Sequence, residues 1–236
     1  MVTDNGPTRL PYFNETCAAM PSRRSKDEVA ALIAGAHACA RAGNLHTGVY
    51  NVEMKYTSQG PRLIEINARL GGFYLTNWAQ RVFGVNLIRC VLQVACGIRP
   101  IIKDVMPKPT KYCVGLQLYN SQHGKGLRPL VPKNEQLITA EERLEQNRMR
   151  MLDHEGVVIW IPMAAGLKDE PMEWEGAYAN VGCSGASHEE AAAKLLSVVR
   201  CLHLDQGAEL KTDYYINGLG IKVEKKPIIP VVPFNA

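Results

Sequence analysis

The sequence predicts an α+β fold, in which an antiparallel sheet with flanking helices is followed by a small β-rich subdomain. Two strand-like runs, near 48–57 and 62–68, flank the turn sequence Ser58-Gln59-Gly60-Pro61 and predict a β-hairpin. Capped helices with apolar stripes lie on either side of that hairpin in the sequence. A proline-interrupted stretch, 98–110, separates them from three further predicted strands. We therefore predict one domain over 1–105 and a second over 106–236.

The first elements of the chain support the hairpin. Residues 10–17 predict a short strand. Ser25 and Glu28 have the spacing of a capping box, and the apolar stripe that follows predicts a helix ending at Gly43-Asn44. We expect this helix to pack on the sheet that contains the hairpin.

Two more helices are predicted after the hairpin. The first runs to about Phe83 and is broken by Gly84. Asn86 can cap the second, which runs to Gly97.

The second domain alternates predicted strands with capped helices. The strands are Tyr112–Asn120, Gly156–Met163 and Trp174–Val181. Capping pairs predict one charged helix from Thr139 to about Leu152 and a last helix that begins after Ser187.

Two motifs in this domain resemble functional sites without completing them. Ser121–Gly126 is glycine-rich and basic but lacks the G-x-x-x-x-G-K-[ST] pattern of a phosphate loop, so we predict a hairpin loop. Cys183 lies near His188, yet no third group that would orient a base can be identified, so we predict a structural cysteine.

Composition argues against several classes of partner. A net charge of +4 without a long basic run argues against nucleic acid. No apolar run approaches the length of a membrane span, and the first residues do not resemble a signal peptide. Seven dispersed cysteines predict reduced thiols in a cytoplasmic protein. Small-molecule partners remain, and the sequence leaves a homo-oligomer open.

The hairpin carries the candidate site. An antiparallel pairing centred on Gln59 puts Glu53 opposite Glu65, with Cβ atoms about 5 Å apart, where like charges repel. A divalent cation held by both carboxylates and by the amide oxygen of Asn67 would offset that repulsion. The alternative is an exposed hairpin with a solvated polar face and a register shifted by one residue. Spacing alone does not decide between these two interpretations.

The residues that follow extend this site. The guanidinium group of Arg69 would offer a positive charge and paired N–H donors to a phosphate or carboxylate. Gly71 and Gly72 would let the backbone approach that ligand closely. Phe73 and Trp78 could line a pocket for a substrate side chain, although both are also compatible with plain core packing.

Glu53, then Glu65-Ile-Asn67-Ala-Arg69, then Gly71-Gly72, resembles the metal-binding core of the ATP-grasp ligases. The resemblance implies that Glu53, Glu65 and Asn67 hold Mg²⁺ or Mn²⁺ against the phosphates of ATP. It implies that Arg69 is catalytic, contacting an acyl-phosphate intermediate or the substrate carboxylate. Gly71, Gly72 and Phe73 would then be substrate-binding residues.

The resemblance also implies a function. Within the family, the resemblance is strongest to ligases that join two amino acids. The expected substrates are therefore ATP, β-alanine and L-histidine. The alternatives are another amino-acid ligase of this family, or an inactive interaction or regulatory fragment. The nucleotide-binding segment that such ligases place ahead of these strands has no counterpart before Val49. We therefore expect the chain to be a partial copy of the enzyme, its C-terminal part, with little activity by itself.

Overall fold

The computed structural model describes residues 1–11, 13–102, 108–127, 157–162, 177 and 179–223, with backbone only for 127, 157–162 and 201. The chain divides into two compact units, Met1–Asp4 with Met20–Thr110 and Asn5–Ala19 with Lys111–Ala236. Helices and antiparallel strands occur together, which confirms the α+β prediction. The predicted boundary between 105 and 106 lies outside the described residues and stays a prediction.

The predicted hairpin is present in the first unit. Strands β3 (Asn51–Thr57) and β4 (Gly60–Asn67) pair antiparallel around the two-residue turn Ser58-Gln59. Gly60, just after the turn, has a φ of +89°, a conformation that glycine adopts at little cost. These strands form a two-stranded sheet of their own.

A β-bulge in β4 sets the register of the hairpin. Met54 pairs with Leu63, whereas its neighbour Glu53 pairs with Glu65, so Ile64 is an extra residue in β4. An unbroken ladder from this turn would put Glu53 opposite Ile64. The predicted unbroken ladder centred on Gln59 is therefore wrong, but the predicted Glu53–Glu65 pair is observed because the bulge restores it.

Helix α1 (Lys26–Ala42) packs on the hairpin. Its predicted capping box is confirmed: Ser25 Oγ accepts from the Glu28 N–H at 3.2 Å, and Glu28 Oε2 accepts from the Ser25 N–H at 3.0 Å. At Gly35 a Cβ would lie 3.1 Å from Met54 Cε and 3.4 Å from Pro61 Cγ. The small residue lets the helix approach both strands closely.

Helices α2 (Leu75–Phe83) and α3 (Leu87–Ala95) follow the hairpin as predicted. Gly84 ends α2 in the left-handed conformation, with a φ of +69°. The Asn86 side chain accepts from the Arg89 N–H at 2.8 Å and caps α3. Among the described residues, we find no helix of the length and hydropathy that a bilayer crossing requires.

A five-stranded sheet has the order β1-β2-β5-β7-β6. Its strands are β1 (Asp4–Asn5), β2 (Cys17–Met20), β5 (Tyr112–Leu118), β6 (Val157–Pro162) and β7 (Ala179–Gly185). Strand β7 pairs antiparallel with both β5 and β6.

Helix α5 (His188–Cys201) packs on β5 and β7, and the short helix α6 (Thr212–Gly218) packs on α5. The Ser187 side chain caps α5 by accepting from the Glu190 N–H at 3.1 Å, as predicted. The fully buried core between sheet and helices includes Val114, Leu116, Leu118, Val181, Leu195, Val198 and Ile216.

Two predictions for the second unit, Asn5–Ala19 with Lys111–Ala236, are wrong. The described residues between 10 and 16 are not in a strand: Arg9 and Asn14 bridge across a turn, and β2 begins only at Cys17. Pro11, which has no N–H for a ladder, falls in that turn. Ser121–Gly126 is not a hairpin loop but lies in helix α4 (Asn120–Leu127). Gly126 is needed there because a Cβ would overlap the backbone of His203 and Leu204.

Some predicted elements lie partly or wholly outside the described residues. The charged helix from Thr139 to Leu152 is one of them, and so is the first part of the strand predicted over Trp174–Val181. Of that strand, β7 contains the part from Ala179 onward and continues to Gly185.

A buried histidine on α4 is expected to make stability depend on pH. His123 is 1% exposed, and its Nδ1 accepts from the Tyr119 N–H at 3.0 Å. Burial lowers the pKa of its imidazole to about 4. In the unfolded chain this pKa lies at about 6.5, so the unfolded chain alone takes up a proton as pH falls from there toward 4. We expect this difference to remove about 3 kcal/mol of stability across that window.

Denaturant titrations at pH 7, 5.5 and 4 check this expectation. His123→Asn, whose amide oxygen can accept the same N–H, should lose that part of the pH dependence. His46→Asn, at an exposed histidine, is the matched control and should keep it. Equal pH dependence in the wild type and His123→Asn would contradict the assignment.

Candidate functional site

Polar side chains from both strands meet at one end of the hairpin. Glu53 faces Glu65, and the next pair toward the strand ends is Asn51 with Asn67. Residues two apart on a strand share a face, so all four side chains lie on one face of the hairpin. Glu65 is exposed and the other three are half-buried. This face therefore offers two carboxylates and two amides to a ligand from solvent.

Each carboxylate accepts a hydrogen bond from the amide two residues along its own strand. Asn67 Nδ2 donates to Glu65 Oε1 at 2.6 Å, a short distance that suits a charged acceptor. Asn51 Nδ2 donates to Glu53 Oε1 at 3.3 Å, which is longer than an ordinary hydrogen bond. The two amides thus orient the two acidic side chains.

Arg69 lies just beyond β4 at the same end of the hairpin. Its N–H donates to the Asn67 carbonyl at 2.8 Å, and its own carbonyl accepts from the Asn51 N–H at 3.1 Å. Its exposed guanidinium donates through Nη1 to the Leu70 carbonyl at 3.1 Å. Since a guanidinium has five N–H donors, the group retains the capacity to bind an anion.

The glycine pair has two different environments. A Cβ on Gly71 would lie 2.9 Å from Leu75 Cδ1, 3.3 Å from Leu75 Cβ and 3.4 Å from Asn51 Oδ1. A Cβ on Gly72 would have no atom within 4 Å. A side chain at Gly71 would press on Leu75, whereas Gly72 borders open space.

This contrast gives a direct test. We expect Gly71→Ala to lower the free energy of unfolding by about 1–2 kcal/mol, because the added methyl group overpacks against Leu75. Gly72→Ala is the matched control and should leave stability within about 0.5 kcal/mol of the wild type. Denaturant unfolding of both variants makes the comparison. Equal stability of the two would show that Leu75 moves aside without cost.

The aromatic residues after the glycines also separate into two kinds. Trp78 is fully buried and stacks on Tyr74, with ring centroids 4.0 Å apart, so it belongs to the core. Phe73 is half-buried and has a φ of +54°, which is unusual for a bulky residue. Of the two predicted pocket residues, only Phe73 remains partly accessible beside the glycine pair.

The hairpin residues fit a divalent cation. Two carboxylates and the amide oxygen of Asn67 are all oxygen ligands, which Mg²⁺ and Mn²⁺ prefer. Directly opposed carboxylates also repel one another, and a shared cation would remove that cost. Within the described ranges, no group of three or more His, Cys, Asp or Glu side chains could hold a metal ion. The hairpin is a different kind of set, in which the amide of Asn67 would complete two carboxylates.

Asn51 is the site residue that the sequence analysis missed. Its signal was available, because the pairing that puts Glu53 opposite Glu65 also puts Asn51 opposite Asn67.

The second candidate motif, Cys183 near His188, is not arranged for nucleophilic catalysis. Cys183 is fully buried, and burial raises the pKa of its thiol. His188 lies edge-on to the Tyr112 ring, with centroids 4.8 Å apart.

Solved structures identify the class of fold. The chain superposes on an L-amino acid ligase from Bacillus licheniformis with a TM-score of 0.56 and 17% identity, covering 78% of this chain and 42% of that one. Phosphoribosylglycinamide synthetase from Anaerococcus prevotii gives a TM-score of 0.58 and 12% identity, covering 85% of this chain and 47% of that one. The chain has the fold of the ATP-grasp ligases.

Sequence similarity gives a narrower relationship. The chain is 37% identical to carnosine synthase 1 of Mus musculus over 205 residues, which is 87% of this chain and 23% of that protein. It spans less than a quarter of the length of the curated relatives it matches. No protein-family model matches the sequence.

Proposed function

We propose that this chain supplies the metal-binding hairpin of an ATP-dependent ligase that joins a carboxylate to an amine and forms a dipeptide. The observation that carries the proposal is the direct facing of Glu53 and Glu65 in a chain with the ATP-grasp fold. We further propose β-alanine and L-histidine as substrates and carnosine as product, by similarity to carnosine synthase 1.

The proposed reaction has two steps. The γ-phosphoryl group of ATP passes to the carboxylate of β-alanine, giving an acyl phosphate and ADP. The amine of L-histidine then attacks the acyl carbon, the amide bond forms, and inorganic phosphate leaves. Because no covalent bond to the protein is needed, positioning and charge neutralisation can supply most of the catalysis.

Each residue at the end of the hairpin has a proposed role. Glu53, Glu65 and Asn67 hold Mg²⁺ or Mn²⁺, which when bound would neutralise phosphate charge. Asn67 can interact with both Glu65 and the ion, since its Nδ2 donates to Glu65 while its Oδ1 is available as an oxygen ligand. Arg69 binds the phosphate or carboxylate oxygens of the reacting group.

The residues after Arg69 would shape the substrate site. Gly72 borders open space and would let a ligand approach the backbone, and Gly71 keeps the loop close to Asn51. Phe73 would contact the substrate side chain. We also propose a cytoplasmic location, since none of the six cysteines with described side chains forms a disulfide bond.

A substrate panel on the complete protein that carries this chain tests the proposal. ADP release is measured with ATP, Mg²⁺ and pairs of amino acids, and the product is identified by its mass. We expect the fastest release with β-alanine and L-histidine. Faster release with another pair would assign a different amino-acid ligase. No ADP release with any pair would favour an interaction or regulatory role instead.

A further inference from the structure

Asn51 donates a side-chain hydrogen bond to Glu53 and a backbone hydrogen bond to Arg69, and it lies opposite Asn67 in the hairpin. We propose that Asn51 is a positioning residue of this site, which orients Glu53 toward Glu65 through its side chain and fixes Arg69 through its backbone. The proposal rests on the proposed function, because it assigns Asn51 a role toward the same ion.

The orientation of the Asn51 amide is set by the hydrogen bond that its nitrogen donates. Its Nδ2 donates to Glu53 Oε1 at 3.3 Å. Its Oδ1 lies 3.4 Å from the position that a Cβ of Gly71 would occupy. Turning the amide over would place Oδ1 against the Glu53 carboxylate, where two acceptors repel. The donor end therefore faces the acidic pair, and the oxygen end faces the glycine.

The backbone of Asn51 extends the pairing beyond the last residue of β4. Its N–H donates to the Arg69 carbonyl at 3.1 Å. The N–H of Arg69 donates in turn to the carbonyl of Asn67, the residue opposite Asn51. These two hydrogen bonds fix the backbone of the arginine next to the Asn51–Asn67 pair. Asn51 thus positions both Glu53, a proposed ion ligand, and Arg69, the proposed catalytic arginine.

The hydrogen bond from Asn51 to Glu53 places an amide beside a proposed ion ligand. Asn67 holds Glu65 at 2.6 Å, whereas Asn51 reaches Glu53 only at 3.3 Å. The Asn51 amide therefore orients Glu53 from the same relative position as Asn67 orients Glu65, two residues along the strand, through a longer contact. Groups that hold a metal ligand in this way contribute about 10–100-fold to metal affinity.

Two substitutions separate positioning from space filling. Asn51→Ala removes the donor and the volume, whereas Asn51→Leu keeps a similarly branched side chain without the donor. Arg62→Ala is the matched control, because Arg62 lies on the same hairpin near its turn and its exposed side chain bonds Gln59. Glu65→Gln serves as the reference for loss of a proposed ligand.

Mn²⁺ binding to the complete protein, with a non-hydrolysable ATP analogue present, is measured from the electron paramagnetic resonance signal of free Mn²⁺. We expect Asn51→Ala and Asn51→Leu each to weaken binding about tenfold, with Arg62→Ala unchanged. Circular dichroism and denaturant unfolding verify that each variant keeps the fold.

The outcomes distinguish this inference from the function on which it rests. Wild-type affinity in Asn51→Leu, together with lost affinity in Glu65→Gln, would overturn the positioning role and leave the ion site standing. Wild-type affinity in Glu65→Gln would overturn the proposed ion site itself, and the role of Asn51 with it.

Discussion

Glu65→Gln is expected to lower the rate at limiting Mg²⁺ about a hundredfold in the complete protein while leaving the fold intact. Glutamine has the same shape as glutamate, and its amide oxygen can still accept from Asn67 Nδ2. It carries no charge, so it replaces a charged metal ligand with a weaker neutral one and removes the repulsion with Glu53. A Mg²⁺ titration of the initial rate, paired with denaturant unfolding, measures both effects.

The matched control is Glu209→Gln, an exposed glutamate in the second unit, which should leave the Mg²⁺ dependence unchanged. The combination expected for Glu65→Gln is unusual, namely a large loss of rate with stability unchanged or slightly raised. A wild-type rate at limiting Mg²⁺ would contradict the metal-site assignment. A large loss of stability would instead give Glu65 a structural role.

Arg69→Ala is expected to lower turnover about a hundredfold with Mg²⁺ affinity nearly unchanged. The guanidinium is proposed to stabilise charge on the reacting phosphate or carboxylate rather than to hold the ion. Its backbone hydrogen bonds to Asn51 and Asn67 do not involve the side chain, so the hairpin should keep its geometry. The same Mg²⁺ titration separates the maximal rate from the half-saturating Mg²⁺ concentration.

Arg62→Ala is the control, because it removes an exposed arginine near the opposite end of the hairpin. It should change neither the maximal rate nor the half-saturating Mg²⁺ concentration. If Arg69→Ala raised the half-saturating Mg²⁺ concentration as much as Glu65→Gln does, the two residues would share one role. In that event the division between ion ligands and a catalytic arginine would be wrong.

The helices show how much local sequence can predict. The capping residues Ser25, Asn86 and Ser187 mark helix starts because each side chain accepts from an N–H only three residues ahead. Gly84 ends α2 because the left-handed conformation suits glycine. These interactions lie within a few residues of one another, so the spacing of residue types is enough to predict them.

The hairpin register shows where such reasoning stops. The bulge at Ile64 leaves no mark in residue spacing, and it decides whether Glu53 faces Glu65 or Ile64. The predicted turn is centred on Gln59, whereas the real turn is Ser58-Gln59, and the predicted pair is nevertheless the observed one. Two departures from the assumed geometry, a shorter turn and an extra residue in β4, offset one another at this position.

Helix α4 and strand β2 show the effect of contacts distant in sequence. Glycines in Ser121–Gly126 predicted a loop, yet Gly126 lies in a helix because the backbone of His203 and Leu204 packs against it. Likewise, β2 lies between β1 and β5 in the sheet, and the partner β5 is distant in the sequence. Neither the packing neighbour nor the strand order is encoded by nearby residues.

The most direct measurement of the proposed site is a crystal structure of the complete protein with Mn²⁺ and a non-hydrolysable ATP analogue. Anomalous difference density for Mn²⁺ would locate the ion independently of any activity. We expect a peak between the carboxylates of Glu53 and Glu65, with the Asn67 amide oxygen as a further ligand. Density at another place, with these two carboxylates facing only solvent, would contradict this expectation.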